Sequence, residues 1–297
     1  MSAMLAGIFA PITTPFDARG EVDTAAAGAN CRRLIDAGLT GIVVAGSTGE
    51  APLLEDAERA ALLGAVLAAV PEVPVLMGIG AESTRQTVAR ARSAAAAGAN
   101  AVLCVAPHYF GAGAMSDAAL RAHYLTVAEA SPVPVVLYSI PKYMHFALSQ
   151  GLVAELAQHA SIIGIKDSSG DPALLATYLA SQSPTFTVLT GNGAQFLNAL
   201  TAGAQGGILA VAAFAPALTR EVFTAFKAGD HAAAAAAQAT LTPLAMEIVA
   251  KAGIGGVKVA YDAVGLVGGP VRGPLMPLDA AGADHVRGLL REAGLTA

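Results

Sequence analysis

Residues 83–106 read STRQTVARARSAAAAGANAVLCVA. From Ser83 to Ala97 the run predicts a helix: a serine placed to cap its start, a body rich in alanine, and Gly98 to stop it. From Ala101 to Ala106 the chain turns apolar without alternation. That predicts a strand buried on both faces, as in a parallel sheet. The join is Ala97-Gly98-Ala99-Asn100, and a similar helix-stop turn recurs as Asp36-Ala37-Gly38-Leu39 and Thr201-Ala202-Gly203-Ala204. Each of the three lies just before an apolar run.

Seven more such runs flank this one, at Gly7–Ile12, Gly41–Ala45, Pro74–Gly78, Pro134–Ser139, Ile162–Lys166, Thr185–Thr190 and Gly206–Val211. Their starts advance by roughly 20–35 residues, the length of a βα unit. Helical patterns at Thr24–Ala37, Leu54–Val70, Asp117–Ala130 and Asp171–Ala180 fit between them. Eight strands alternating with helices predict a (β/α)8 barrel of the TIM type over residues 1–216. Residues 217–297 have helical pattern and no convincing strand. Their stretch Asp230–Thr240 includes a run of six alanines, Ala232 to Ala237. With no Gly-, Ser- or Pro-rich linker before it, this C-terminal extension is expected to pack on the barrel as part of one structural unit.

Of 297 residues, 55% are hydrophobic and 13% charged, against roughly 45–50% and about 25% in ordinary soluble domains. Disorder is excluded, and the scarcity of charge suggests surface buried between subunits as well as in a core. The net charge is −5. With no basic tract, nucleic acid and anionic membrane are not expected partners. Cys31 and Cys104 are too few for a disulfide framework or a metal knuckle and read as buried thiols. Mean hydropathy is +0.58, and Thr187–Thr219 carries no charge. That stretch is interrupted by glycines, asparagines, glutamines and Pro216, poor material for a lipid-facing helix. Met1 to Phe9 lacks the basic and long apolar regions of a signal peptide, so a cytoplasmic protein is expected.

Chemistry in such barrels sits at the C-terminal strand ends. There the sequence places Thr13, Thr14, Ser47, Thr48, Glu50, Glu82, Ser83, His108, Tyr109, Tyr138, Ser139, Lys166, Asp167, Ser168, Ser169 and Asn192. Asp167, Glu50 and His108 follow no metal-ligand spacing, so no metal is expected. Lys166 is the informative residue. Of five lysines, Lys142, Lys227, Lys251 and Lys258 fit solvated loops or tail helices, whereas Lys166 ends the apolar run Ile162-Ile163-Gly164-Ile165. Burial favours the neutral amine, which a carbonyl substrate needs for Schiff-base formation. The competing expectation is a buried pair with Asp167. Tyr138 ends the neighbouring strand, where a phenol can shuttle protons. Gly46-Ser47-Thr48-Gly49-Glu50 offers two hydroxyls and backbone N–H groups for a carboxylate. Amine, phenol and anion-binding loop together suit an α-keto acid.

These segments, with Pro107-His108-Tyr109, Tyr138-Ser139-Ile140-Pro141, Gly164-Ile165-Lys166-Asp167-Ser168-Ser169-Gly170, Gly206-Gly207-Ile208 and Gly269-Pro270-Val271-Arg272-Gly273-Pro274-Leu275, span nearly the whole chain in order. The chain resembles the pyruvate-dependent class I aldolases that include dihydrodipicolinate synthase, N-acetylneuraminate lyase and 4-hydroxy-2-oxoglutarate aldolase. The resemblance implies that Lys166 forms the Schiff base with pyruvate and Tyr138 moves protons. It implies that Thr48 links Tyr138 to Tyr109, which reaches across a dimer interface, and that Ser47 and Thr48 grip the carboxylate. Asn192 and Ile208 match positions near the keto acid. It also implies a homotetramer, a dimer of dimers, and no metal or organic cofactor.

The synthases carry an arginine two residues after the proline of the Tyr-x-x-Pro motif. Here Tyr143 stands there, beside Lys142. With His145, Tyr143 is expected to shape the specificity pocket. The stretch Tyr109 to Pro141 resembles 4-hydroxy-2-oxoglutarate aldolases most, so the first expectation is a lyase making or breaking the bond between pyruvate and an aldehyde in a 4-hydroxy-2-oxo acid. The alternatives are 4-hydroxy-tetrahydrodipicolinate synthase, acting on pyruvate and aspartate semialdehyde, an imine-based hydratase or dehydratase, and a non-catalytic keto-acid-binding protein.

Overall fold

The computed structural model describes residues 5–296. Eight strands close into a barrel in chain order: β1 (Gly7–Pro11), β2 (Gly41–Val44), β3 (Val75–Gly78), β4 (Ala101–Val105), β5 (Val135–Ser139), β6 (Ile162–Asp167), β7 (Thr187–Thr190) and β8 (Gly206–Ile208). All pair in parallel, and β8 returns to β1. Every strand residue except Val105 is buried, which is why the runs do not alternate. Two strands, β7 and β8, are shorter than expected by more than one residue. Ser183 Oγ accepts the N–H groups of Thr185 and Phe186, holding the entry to β7 in a turn. After β8, Ala210–Ala213 coil into a 3-10 turn.

Between the strands run α1 (Thr24–Asp36), α2 (Asp56–Ala69), α3 (Thr84–Ala97), the short turn α4 (Gly111–Ala114), α5 (Asp117–Ala130), the short turn α6 (Pro141–Met144), α7 (Gln150–Leu156), α8 (Pro172–Leu179), α9 (Phe196–Ala202) and α10 (Pro216–Lys227). Their starts are chemically marked. The side chains of Asp23, Ser83, Ser116, Ser149 and Asp171 each accept a first-turn N–H. Glu55 and Glu58 form a reciprocal capping box on α2. Gly98 ends α3 at φ +101, a conformation that L side chains rarely adopt.

The helix α10 follows β8 and completes the eighth βα unit, so by position it belongs to the barrel rather than to the tail. Beyond it lie α11 (His231–Pro243), a π-helical run Leu244–Lys251, α12 (Gly253–Ala263) and α13 (Ala280–Glu292). The span His231–Lys251 has the length and hydropathy to cross a membrane. In this fold, however, its Ala234, Ala237, Leu241, Leu244 and Ile248 are buried.

Candidate active site

Parallel register decides which strand-end side chains meet. Tyr138 of β5 and Lys166 of β6 are direct partners, so their side chains point the same way. Lys166 is only 5% exposed, and its Nζ lies 4.2 Å from the centre of the Tyr138 ring. The next residues, Ser139 and Asp167, point to the opposite face. Ser139 Oγ lies 3.4 Å from the Tyr178 hydroxyl. Asp167 accepts hydrogen bonds from the N–H and Oγ of Ser169 at 3.0 and 2.8 Å. Burial holds the Asp167 carboxyl above its ordinary value, against those two bonds. A Lys166–Asp167 pair is therefore not formed. Among the described residues, no carboxylate lies within ion-pair distance of Lys166.

Lys166 faces a cavity of about 180 Å³ at the C-terminal end of the barrel. Ser47, Thr48, Tyr138, Tyr143, Asn192 and Ile208 line it as well. The Gly46–Gly49 turn lies between two non-glycine residues with positive φ, Ala45 at +50 and Glu50 at +57. Backbone held in such conformations marks sites where the surroundings dictate geometry. Within that turn, the N–H groups of Gly49 and Ala51 return to the Gly46 carbonyl, and that of Glu50 to Ser47. The N–H groups of Ser47 and Thr48 have no partner within the chain, among the described residues. They are available to an anion.

Three expected residues stand differently. The hydroxyl that reaches the Tyr138 phenol is Ser47 Oγ, at 3.5 Å, rather than Thr48. Tyr109 is 79% exposed and outside the cavity, its ring edge-on to Phe110. Its backbone N–H, with that of His108, is held by Glu82 at 2.9 Å. His145 is exposed, ends α6 at φ +61 and does not line the cavity. Tyr143 does line it, and burial, with Tyr138 nearby, pushes its phenol above 10.0.

Further residues complete the site. Ser168 lines the cavity, and Gly191 makes room for it. A Cβ at Gly191 would fall 1.9 Å from Ser168 Oγ and 2.8 Å from Lys166 Cε. The far wall is the C-terminal extension: Ala245, Met246, Val249, Ala250 and Ile254. Lys142 spans to that wall, its Nζ donating to the Ala250 carbonyl at 3.2 Å. Lys258, expected in solvent, is 2% exposed and forms an ion pair with buried Glu50 at 2.6 Å. The signal used for Lys166, a lysine inside an apolar run, was also present in Gly256-Val257-Lys258-Val259-Ala260.

The fold is that of a barrel enzyme, and its family and relatives make it a carbon–carbon lyase. The chain belongs to the dihydrodipicolinate synthetase family, whose model matches residues 4–293. It is 35% identical over 295 residues to a 4-hydroxy-tetrahydrodipicolinate synthase of Methanoculleus marisnigri, covering 98% of this chain and 100% of the relative. It is 39% identical over 272 residues to 4-hydroxy-tetrahydrodipicolinate synthase 1 of Streptomyces coelicolor, covering 90% and 87%. Among solved structures, it is similar to YagE, a prophage protein of the dihydrodipicolinic acid synthase family from E. coli K12 in complex with pyruvate. That match has a TM-score of 0.92 and 32% identity, and covers 98% and 99% of the two chains.

Proposed function

We propose that this lyase works through a Schiff base between Lys166 and pyruvate. The observation that carries the proposal is a buried lysine facing a cavity with no carboxylate beside it, register-paired with a tyrosine. The Lys166 amine adds to the pyruvate carbonyl and water leaves, giving a protonated imine. That imine draws electrons from the methyl group, which loses a proton and becomes an enamine. Tyr138, with Ser47 against its hydroxyl, carries protons to and from the carbinolamine and the enamine carbon. The free N–H groups of Ser47 and Thr48 hold the carboxylate. The enamine carbon attacks an aldehyde, or the same bond breaks in reverse, and water then releases the lysine.

The names of the relatives support aspartate semialdehyde as the aldehyde, ahead of the 4-hydroxy-2-oxoglutarate expected from sequence. One observation favours the latter as a second reading. Tyr143 lines the cavity where a carboxylate-holding arginine is expected, and neither it nor Lys142 can grip a carboxylate bidentately.

Borohydride reduction in the presence of pyruvate tests the first step. Peptide mass spectrometry should find the reduced adduct on Lys166 and none in Lys166→Ala. Absence of the adduct from the unmodified chain rejects the Schiff-base proposal. A panel of aspartate semialdehyde, glyoxylate, glyceraldehyde and N-acetylmannosamine then assigns the aldehyde. Product from glyoxylate alone would make 4-hydroxy-2-oxoglutarate the substrate.

A further inference from the structure

The carboxylate of Glu50 sits behind the Gly46–Gly49 turn, outside the cavity and fully buried. The C-terminal extension reaches both its oxygens, Oε1 by an ion pair without a hydrogen bond and Oε2 by a backbone hydrogen bond. Lys258 Nζ of α12 lies 2.6 Å from Oε1, and the backbone N–H of Arg272 donates to Oε2 at 2.8 Å. Lys258 is itself fixed: its Nζ donates to the Pro270 carbonyl at 2.5 Å and lies 4.5 Å from the centre of the Phe16 ring. The Arg272 guanidinium covers the same ring at 4.2 Å and forks onto both oxygens of Glu58. Burial depresses the Lys258 pKa, while Glu50 opposes that shift.

The turn has one further side-chain tie, from Thr14 Oγ1 to the Gly49 carbonyl at 2.7 Å. Glu50 touches the turn directly. Its own N–H donates to the Ser47 carbonyl at 3.2 Å, and its left-handed φ of +57 closes the turn. A shift of the Glu50 backbone is passed to Ser47 through that bond, and the 3.5 Å contact between Ser47 Oγ and the Tyr138 hydroxyl already stands at the outer limit of a hydrogen bond.

We propose that the Glu50–Lys258 pair is a positioning device for the active site: anchored in the C-terminal extension, it holds the Ser47 hydroxyl against the Tyr138 phenol and so sets the rate of proton transfer at the pyruvate imine. Neither residue touches substrate. The proposal rests on the Schiff-base function above, and its test needs no aldehyde. In D2O the imine loses a methyl proton to give the enamine and takes a deuteron back, so pyruvate exchanges its methyl protons for deuterium.

The variants are Ser47→Ala, the pair variant Glu50→Gln/Lys258→Met, and the triple combination. Changing both members of the pair avoids a lone buried charge, the usual cause of collapse when one partner is removed. The exchange rate at saturating pyruvate and the half-saturating concentration are read by proton NMR. The borohydride adduct on Lys166 serves as the control in every variant.

The pair variant is expected to keep the adduct and to raise half-saturation, because the Ser47 N–H that holds the carboxylate shifts with its hydroxyl. Its saturating rate should fall about 10²-fold, the scale on which a 1 Å misplacement acts. Ser47→Ala should fall similarly, and the triple variant should lose little more than either, because both changes remove one effect. An unchanged rate in the pair variant overturns the proposal. So do losses that multiply in the triple variant, because the pair then acts independently of Ser47. Failure of the pair variant to fold is resolved by Lys258→Arg, which keeps the charge. This variant should retain at least a tenth of the exchange rate, and a larger loss with the adduct intact counts against the proposal. Absence of the adduct from the unmodified chain would instead remove the Schiff-base function.

Discussion

Lys166 and Lys258 are both buried, and their surroundings assign them opposite tasks. Lys258 meets a carboxylate and a carbonyl in a sealed site. Lys166 meets a tyrosine ring and an open cavity. Removing the phenol while keeping the ring should separate packing from proton transfer. Tyr138→Phe should keep the pyruvate adduct and slow methyl-proton exchange by ~10²–10⁴-fold, the range for losing a general acid–base group. Gly191→Ala tests the space around the lysine. Its added methyl meets Ser168 Oγ and Lys166 Cε, so thermal unfolding should show a loss of about 1–3 kcal/mol, as for overpacked cores. The yield of borohydride adduct should fall with it. The sequence placed Lys166 and Tyr138 at the barrel mouth because each ends an apolar run. It could not reveal that Ser47 rather than Thr48 faces Tyr138, because that depends on how the turn leaves β2. Nor could it pair Lys258 with Glu50, which lie near opposite ends of the chain.

At the scale of elements, strand runs and glycine stops were legible because each rests on local chemistry: apolar side chains for two buried faces, and a positive φ after a helix. The helices α7 and α9 were not, since seven residues are too few for a helical period to stand out. The packing of α3, β4 and α5 carries a pH-dependent term. His123 of α5 is 5% exposed, with Nδ1 2.9 Å from Thr84 Oγ1 and Nε2 3.9 Å from Cys104 Sγ. Burial pushes its imidazole down from 6.5 to about 4. The unfolded chain therefore takes up a proton below pH 6.5, while the folded chain resists until about pH 4. The stabilisation is complete above the first value and lost on acidification toward the second, about 3 kcal/mol in all. Urea unfolding between pH 7 and 4.5 should show a smaller loss of stability in His123→Gln than in the unmodified chain.

At the scale of the whole molecule, Tyr109 and Phe110 place two aromatic rings, 79% and 70% exposed, beside each other on one loop. Glu82 holds that loop through two backbone N–H groups, so the rings are presented on an ordered segment. We expect them to be covered by a second copy of the chain within a homotetramer. Sedimentation should find the tetramer for the unmodified chain and smaller species for Tyr109→Ser/Phe110→Ser. A monomer in both cases would reject that assembly.

The return of β8 to β1 also bears on solubility. An open sheet exposes a border of unsatisfied peptide groups that recruits strands from other molecules, and many proteins protect such borders with lysines or prolines. Here the ring of strands has no border to guard. The closed ring offers no strand edge to another molecule, although only 13% of the residues are charged.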